Sequence, residues 1–348
     1  MQQRIMALRY RYRTNILLLS LGLVVCALVS SGMGYIKIPV PDVVRVFAYE
    51  ITGDKSFISH MNSVYPYVIW DVRLPRILTS MIVGAGLSIC GVVFQAILLN
   101  PLADPYTLGI SAGAAFGGSI ALLFNINWFG IYSVSIFAFV GAVGTLIAVL
   151  GISKSSGPLS SHTLILSGII VSAILSALIS FIKYIADEQV AILIFWLMGS
   201  FVSKSWTDVI TTFSFVLLGF FIFLFFARDL DIISLGDRTA SSLGIDPEKI
   251  RLILLITASF VTAVCVSVSG IIGFVGLIIP HLMRFFVGSK AERLIPASAL
   301  SGALLLMGAD TITRAVLPRE VPIGVLTALI GGPFFCYIFV KRSSKSVY

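Results

Sequence analysis

Charge is scarce in this chain. Only 11% of its 348 residues are Asp, Glu, Lys or Arg, where soluble domains carry about 25%. With 58% of residues apolar, a water-soluble globular fold is excluded and the chain reads as an all-α, polytopic membrane protein. Cysteine is almost missing: Cys26, Cys90, Cys265 and Cys336 all fall in apolar runs without paired spacing, which argues against a disulfide framework or a thiolate metal site. No Gly-x-x-x-x-Gly-Lys-Ser/Thr phosphate loop occurs, so the chain has no such route of its own to ATP hydrolysis. Ionisable residues at mid-membrane depth, which a coupled carrier needs, are absent as well, since Asp310 falls near a span end. His60, His162 and His281 also fall outside the spans or at their ends, as solvated or capping residues, and no polar cluster offers a membrane-embedded active site or a metal site.

What charge there is concentrates at 227–251, a polar island between two long apolar runs. Asp237 can cap a short helix with Ala240 and Leu243 three apart on one face, and Gly244 supplies a left-handed stop. Asp246 followed by Pro247 restarts a helix as cap and first helical residue. A two-turn surface helix there, roughly 10 Å long, can pass force from a soluble partner into the bilayer; an ordinary connecting loop fits the same spacing.

About ten spans follow from the apolar runs. The first is near 15–33, behind Arg4, Arg9, Arg11 and Arg13, and reads as a retained span because no small-residue cleavage site follows it. A polar arm at 34–72 precedes the second, at 77–99, with Arg73 and Arg76 immediately outside it and Gly84, Gly86 and Gly91 offering close helix approach. The uncharged run 106–153 would be about 70 Å long as one helix, against roughly 30 Å of hydrocarbon. It must therefore turn back, at Asn125-Ile126-Asn127-Trp128, with Gly113 and Gly117 on one face. Spans at 163–181, 205–227 (capped by Ser205 and Asp208), two within 252–283 divided at Ser269–Gly273 and ended at Pro280-His281-Leu282-Met283-Arg284, then 294–310 and 322–340 complete the bundle. With this register, 15 of the 24 Lys and Arg fall on one side, together with both termini and the island, and nine on the other. The excess of basic residues marks the first side as cytoplasmic, so the net charge of +8 is a topology signal and not a sign of nucleic-acid binding.

Several motifs occur in unbroken order from about Ile38 to Arg342: Arg73-Leu74-Pro75-Arg76, Asn100-Pro101-Leu102-Ala103-Asp104-Pro105, Trp196-Leu197-Met198-Gly199-Ser200, Leu235-Gly236 through Ala240 to Leu243-Gly244, Gly270-x-x-Gly273-Phe274-Val275-Gly276, Pro280-His281-x-x-Arg284 and Val321-Pro322-Ile323-Gly324. Together they resemble the FecCD-type permeases, membrane subunits of type II ATP-binding-cassette importers for iron-siderophores, haem, vitamin B12 and related chelates.

That resemblance implies one transmembrane permease domain over 1–348, in the cytoplasmic (inner) membrane of a prokaryote, paired as a homodimer. Two ATPase subunits would dock at the coupling region, 228–250, and one external substrate-binding protein would deliver cargo. It also implies roles by position. Leu235, Gly236, Asp237, Arg238, Ala240, Leu243 and Gly244 would meet the ATPase. Arg73, Arg76 and Arg314 would meet acidic residues of the binding protein, as exposed pairs worth about 0.2–1 kcal/mol each. Asn100, Pro101, Ser160, Ser161 and His162 would form an inner gate, with the fifth and tenth helices lining the pathway. The chain itself would bind no cofactor; ATP and Mg would be used by the partner ATPase. Iron-siderophore or haem is the first expectation for cargo, cobalamin or molybdate/tungstate the alternative. A gradient-driven facilitator or secondary carrier is the rival class.

Overall fold

The computed structural model describes residues 2–157, 159–186, 189–316 and 320–343, with side chains from Tyr12 to Cys336. Asp187, Glu188, Arg319 and Lys345 lie outside the described residues, as do the side chains of Arg4, Arg9, Arg11, Lys341 and Arg342. The described chain is all helix, turn and loop. In order the helices are α1 (Gln2–Gly32), α2 (Val40–Thr52), α3 (Val64–Ile97), α4 (Ile110–Leu123), α5 (Ser133–Ser155), α6 (Ser161–Ile185), α7 (Val190–Leu197), α8 (Trp206–Phe225), α9 (Ala227–Ile233), α10 (Asp237–Ser242), α11 (Pro247–Ser269), α12 (Val275–Val287), α13 (Ala291–Ala315) and α14 (Ile323–Ser343). Seven of these stretches are long and apolar enough to cross a membrane, and α4, α12 and α14 are shorter apolar helices among the described residues.

α3 is the centre of the bundle. Of its most apolar window 78% is buried, against 17% for α1. It begins at Val64, well before the expected start at 77, because the chain does not break ahead of Arg73 and Pro75. A π-helical turn at Val68–Arg73 carries it through: the Leu74 N–H reaches back five residues to the Ile69 carbonyl. The widened turn absorbs the donor that Pro75 lacks. Arg73 and Arg76 are therefore part of a continuous helix that begins well before the apolar run.

Glycine sets how closely α3 is packed. A Cβ on Gly84 would collide with the Gly302 backbone of α13, and one on Gly91 with the Gly276 carbonyl of α12. Small residues at such crossings let backbones meet in lipid. Gly113 and Gly117 likewise face α5, closing the reversal that the sequence places at 125–128.

α12 runs a little past the expected end at 280–284, with Pro280 inside it. Proline removes the hydrogen bond to the residue four before it, here Gly276. The Gln95 side-chain amide fills the vacancy, donating to the Gly276 carbonyl at 3.1 Å. The helix then runs on to Val287 and stops at Gly288, whose φ is 82°. All four cysteines are free thiols. Ser205 and Asp208 form the expected capping box at the start of α8.

Candidate functional site

The polar island folds as two short helices joined to α11. α9 continues almost directly from α8, and its Asp231 turns inward, where its carboxylate accepts the Ala291 N–H at the start of α13 at 2.9 Å. Burial raises the pKa of Asp231 above the ordinary carboxylate value, outweighing that hydrogen bond and the nearby Lys290. α10 follows, and here the structure corrects the expectation for Asp237. The capping position is held by Gly236 (φ 102°) with no side-chain bond, while the Asp237 carboxylate reaches Arg251 in α11 at 2.5 Å.

Ala240 in α10 and Leu243 just after it also part company. Ala240 is fully buried, but Leu243 is 60% exposed and Leu235 65% exposed. They do not share one buried face: Ala240 anchors the helix and the two leucines project from it. Gly244 (φ 81°) is the left-handed stop, with the Ile245 N–H returning to the Ala240 carbonyl at 3.1 Å. Asp246 caps α11 by accepting the Lys249 N–H at 3.1 Å.

Beside α10 lie most of the residues assigned to an inner gate. Ser160 caps α6 in a reciprocal pair with Thr163, and Ser161 Oγ donates to the Ile97 carbonyl at the end of α3 at 3.0 Å. The exposed His162 completes that turn. One cavity of about 660 Å³ is lined by Asn100, Ser160, Ser161 and His162 on one wall and by Leu235, Gly236, Asp237 and Arg238 on the other. Two sets of residues read from separate motifs thus share one space. Pro101 stands apart, in a second cavity of about 330 Å³ that Asn100 also lines, with Gln95, Asp231 and Arg284.

Arg73, Arg76 and Arg314 gather at the other end of α3 and α13, but not as exposed groups. Arg73 is 5% and Arg76 8% exposed. Arg73 donates to the Ser31 carbonyl at 2.8 Å and, more tightly, to that of Ile36. Arg76 pairs with the fully buried Asp310 at 2.9 Å and with Glu320 at 3.2 Å. Arg314 donates to the carbonyl and hydroxyl oxygens of Ser30 at 2.9 and 3.0 Å. These arginines bind α1, α3 and α13 together, which corrects the expectation of weak surface pairs.

Three further motifs converge where α7, α11 and α14 meet. The Ser200 N–H donates to Ser269, the Ile323 N–H to Gly199 and the Gly324 N–H to Met198. A Cβ on Gly199, Gly270 or Gly324 would strike this crossing. Phe274, next to it, holds a left-handed φ of 69° and lines an apolar cavity of about 580 Å³ with Leu197, Met198 and Leu329. Sequence reasoning had the motifs but not their meeting point, because backbone-to-backbone contacts leave no side-chain signature.

Comparison with known proteins agrees with this architecture. The model of the FecCD transport family matches residues 22–341. The molybdate import system permease protein MolB of Haemophilus influenzae is 38% identical over 93% of this chain and 94% of its own length. The hemin transport system permease protein HmuU of Yersinia pestis is 37% identical over 80% of this chain and 84% of its own. Among solved structures, a metal-chelate type ABC transporter in an inward-facing conformation superposes with a TM-score of 0.82 at 36% identity, covering 94% of this chain and 98% of that one. The buried glycine crossings, the short helices between α8 and α11 and these matches along nearly the whole sequence lead to one assignment: the chain belongs to the FecCD transport family, as a membrane-spanning ABC importer permease.

Proposed function

We propose that this chain is one of two identical permease subunits of an ATP-driven importer, with α9 and α10 as the contact for a partner ATPase. The observation that carries the reading is the exposure of Leu235 and Leu243 on a polar segment otherwise tied down by Asp231 and Asp237. Large apolar side chains presented from a small, anchored helix suit insertion into a protein cleft. ATP and Mg are then used by that partner, and this chain holds no cofactor. Both termini and α9–α10 lie in the cytoplasm of a prokaryotic cell, following the bias of Lys and Arg. The end carrying Arg73, Arg76 and Arg314 faces outward. Because Arg73 and Arg76 are buried and Arg314 is partly buried, they shape the frame and the positive field that a binding protein's carboxylates meet.

For cargo, a metal chelate such as an iron-siderophore or haem suits the uncharged helices, with cobalamin or molybdate/tungstate as the alternative; relatives' names include hemin, cobalamin and molybdate. The test is reconstitution in liposomes with the cognate ATPase and binding protein, using a panel of haem, ferric siderophores, cobalamin, molybdate and tungstate. Uptake of one of these should require ATP and should fall at least tenfold in Leu243→Asp. Gradient-driven uptake by this chain alone, without ATP, would establish the rival carrier class instead.

A further inference from the structure

Arg251 is a buried cation that the pattern of the island gives no reason to expect. It lies in the second turn of α11 and is 1% exposed. Its guanidinium meets three separate parts of the chain. Nε donates to the Ile97 carbonyl at the end of α3 at 3.1 Å, and Nη1 to the Leu159 carbonyl just ahead of α6 at 2.8 Å. Nη1 and Nη2 also take the two carboxylate oxygens of Asp237 at 3.3 and 2.5 Å. The Ile97 carbonyl is shared with Ser161 Oγ, so the same knot includes the first residue of α6.

Apart from the buried Ala240, α10 has few side-chain ties to the bundle. Among the described residues, the two hydrogen bonds that the Asp237 carboxylate accepts from Arg251 are the side-chain hydrogen bonds from α10 to the rest of the protein; the Ser242 hydroxyl bonds within the helix. A guanidinium fixes several directions at once through its planar fork, which a lysine ammonium cannot do. The pair therefore transmits position as well as charge.

We infer that Arg251 is a positioning residue that joins α10 to the 160–162 end of α6, so that displacement of α10 is relayed through Asp237 and Arg251 to the gate residue His162. The inference rests on the reading of α10 as an ATPase contact. Arg251 itself is too buried to touch a partner, so its effect must travel through the protein. Asp237 is half-exposed, and Asp237→Asn leaves Arg251 its two carbonyl acceptors, so this change is expected to cost less stability than loss of a fully buried partner while it breaks the charged link.

The experiment uses the full complex, co-expressed with its ATPase, captured through a tag on the ATPase and placed in nanodiscs. His162→Cys in a Cys26→Ser, Cys336→Ser background is labelled with a charged maleimide, without nucleotide and after trapping with ATP and vanadate. The expected result is a change in labelling rate of at least fivefold on trapping in the otherwise unchanged chain, reduced below twofold in both Asp237→Asn and Arg251→Lys. The double variant should be no worse than either single one, because both break the same link, and Asp237→Glu, which keeps the carboxylate, should restore most of the response. Mere loss of stability would not be rescued in this way while capture is unchanged. A full nucleotide response in the single variants, additive losses in the double, or no response in the unchanged but captured complex would overturn the relay. Failure of the unchanged chain to be captured at all would overturn the underlying reading of α10.

Discussion

Arg76→Ala is expected to destabilise the protein by about 3–5 kcal/mol, the cost of leaving a buried charge without its partner. Asp310 has no exposed side-chain surface and meets Arg76 at 2.9 Å, with the guanidinium extending to Glu320. Removing the arginine strands a carboxylate among helices that have no water to offer it. In detergent, the unfolding midpoint should fall by several degrees, with reduced yield of monodisperse protein. Arg76→Lys should fall between, since it keeps the charge but not the fork that serves two carboxylates. A double change, Arg76→Met with Asp310→Leu, should recover most of the loss by removing both charges together. Arg45→Ala supplies the comparison: its partner Asp42 is close at 3.0 Å, but the arginine is 57% exposed, and the cost should stay below about 1 kcal/mol. Equal midpoints for the Arg76 and Arg45 variants would show that the buried cluster does not hold α3 to α13.

Gly91→Val should be at least as damaging, with no charge involved. Its Cβ would overlap the Gly276 carbonyl, and backbone cannot step aside as the end of a side chain can. That carbonyl is also the acceptor for Gln95, the contact that lets α12 continue through Pro280. Forcing α3 and α12 apart thus breaks a crossing and frees a buried acceptor in one change. Overpacking costs about 1–3 kcal/mol in well-packed cores, occasionally more, and an unsatisfied buried acceptor adds about 1–3 kcal/mol. Together these should prevent recovery of folded protein. Gly144→Ala, where a Cβ meets nothing within 4 Å, should be tolerated or slightly stabilising, since alanine is the better helix former. If both variants express and melt alike, the close approach of α3 and α12 is wrong.

The sequence and the structure agree most where the signal is local. Alternation of apolar runs with turn residues marked the reversal at 125–128, the Ser205 capping box, the stop at Gly244 and the cap at Asp246, because each depends on neighbours a few residues apart. Disagreement arises where distant segments supply what a local rule finds missing. Pro280 looks like a helix end until Gln95, 181 residues away by the donor–acceptor pairing with Gly276, satisfies the vacant carbonyl. The span starting at 77 belongs to a longer helix because the π-helical turn ahead of Pro75 absorbs the lost donor. Asp237 looks like a cap because aspartate is a good one, and only the fold brings Arg251 to compete for it. The same holds for the site. Motif positions grouped the gate and coupling residues separately, whereas their common cavity depends on α6, α10 and the end of α3 meeting in space. Arg73 and Arg76 were legible as important but not as buried, since burial is decided by α1 and α13 folding over them.

Everything proposed here depends on α9 and α10 standing in the cytoplasm against an ATPase. Cysteines placed one at a time at Leu235 and Leu243, in a Cys26→Ser, Cys336→Ser background, test this directly by cross-linking to single cysteines in the co-expressed ATPase. The account predicts a specific heterodimeric product at both positions and no reaction with a membrane-impermeant thiol reagent added outside intact cells. Labelling from outside, or the absence of any ATPase adduct from either exposed leucine position, would contradict it.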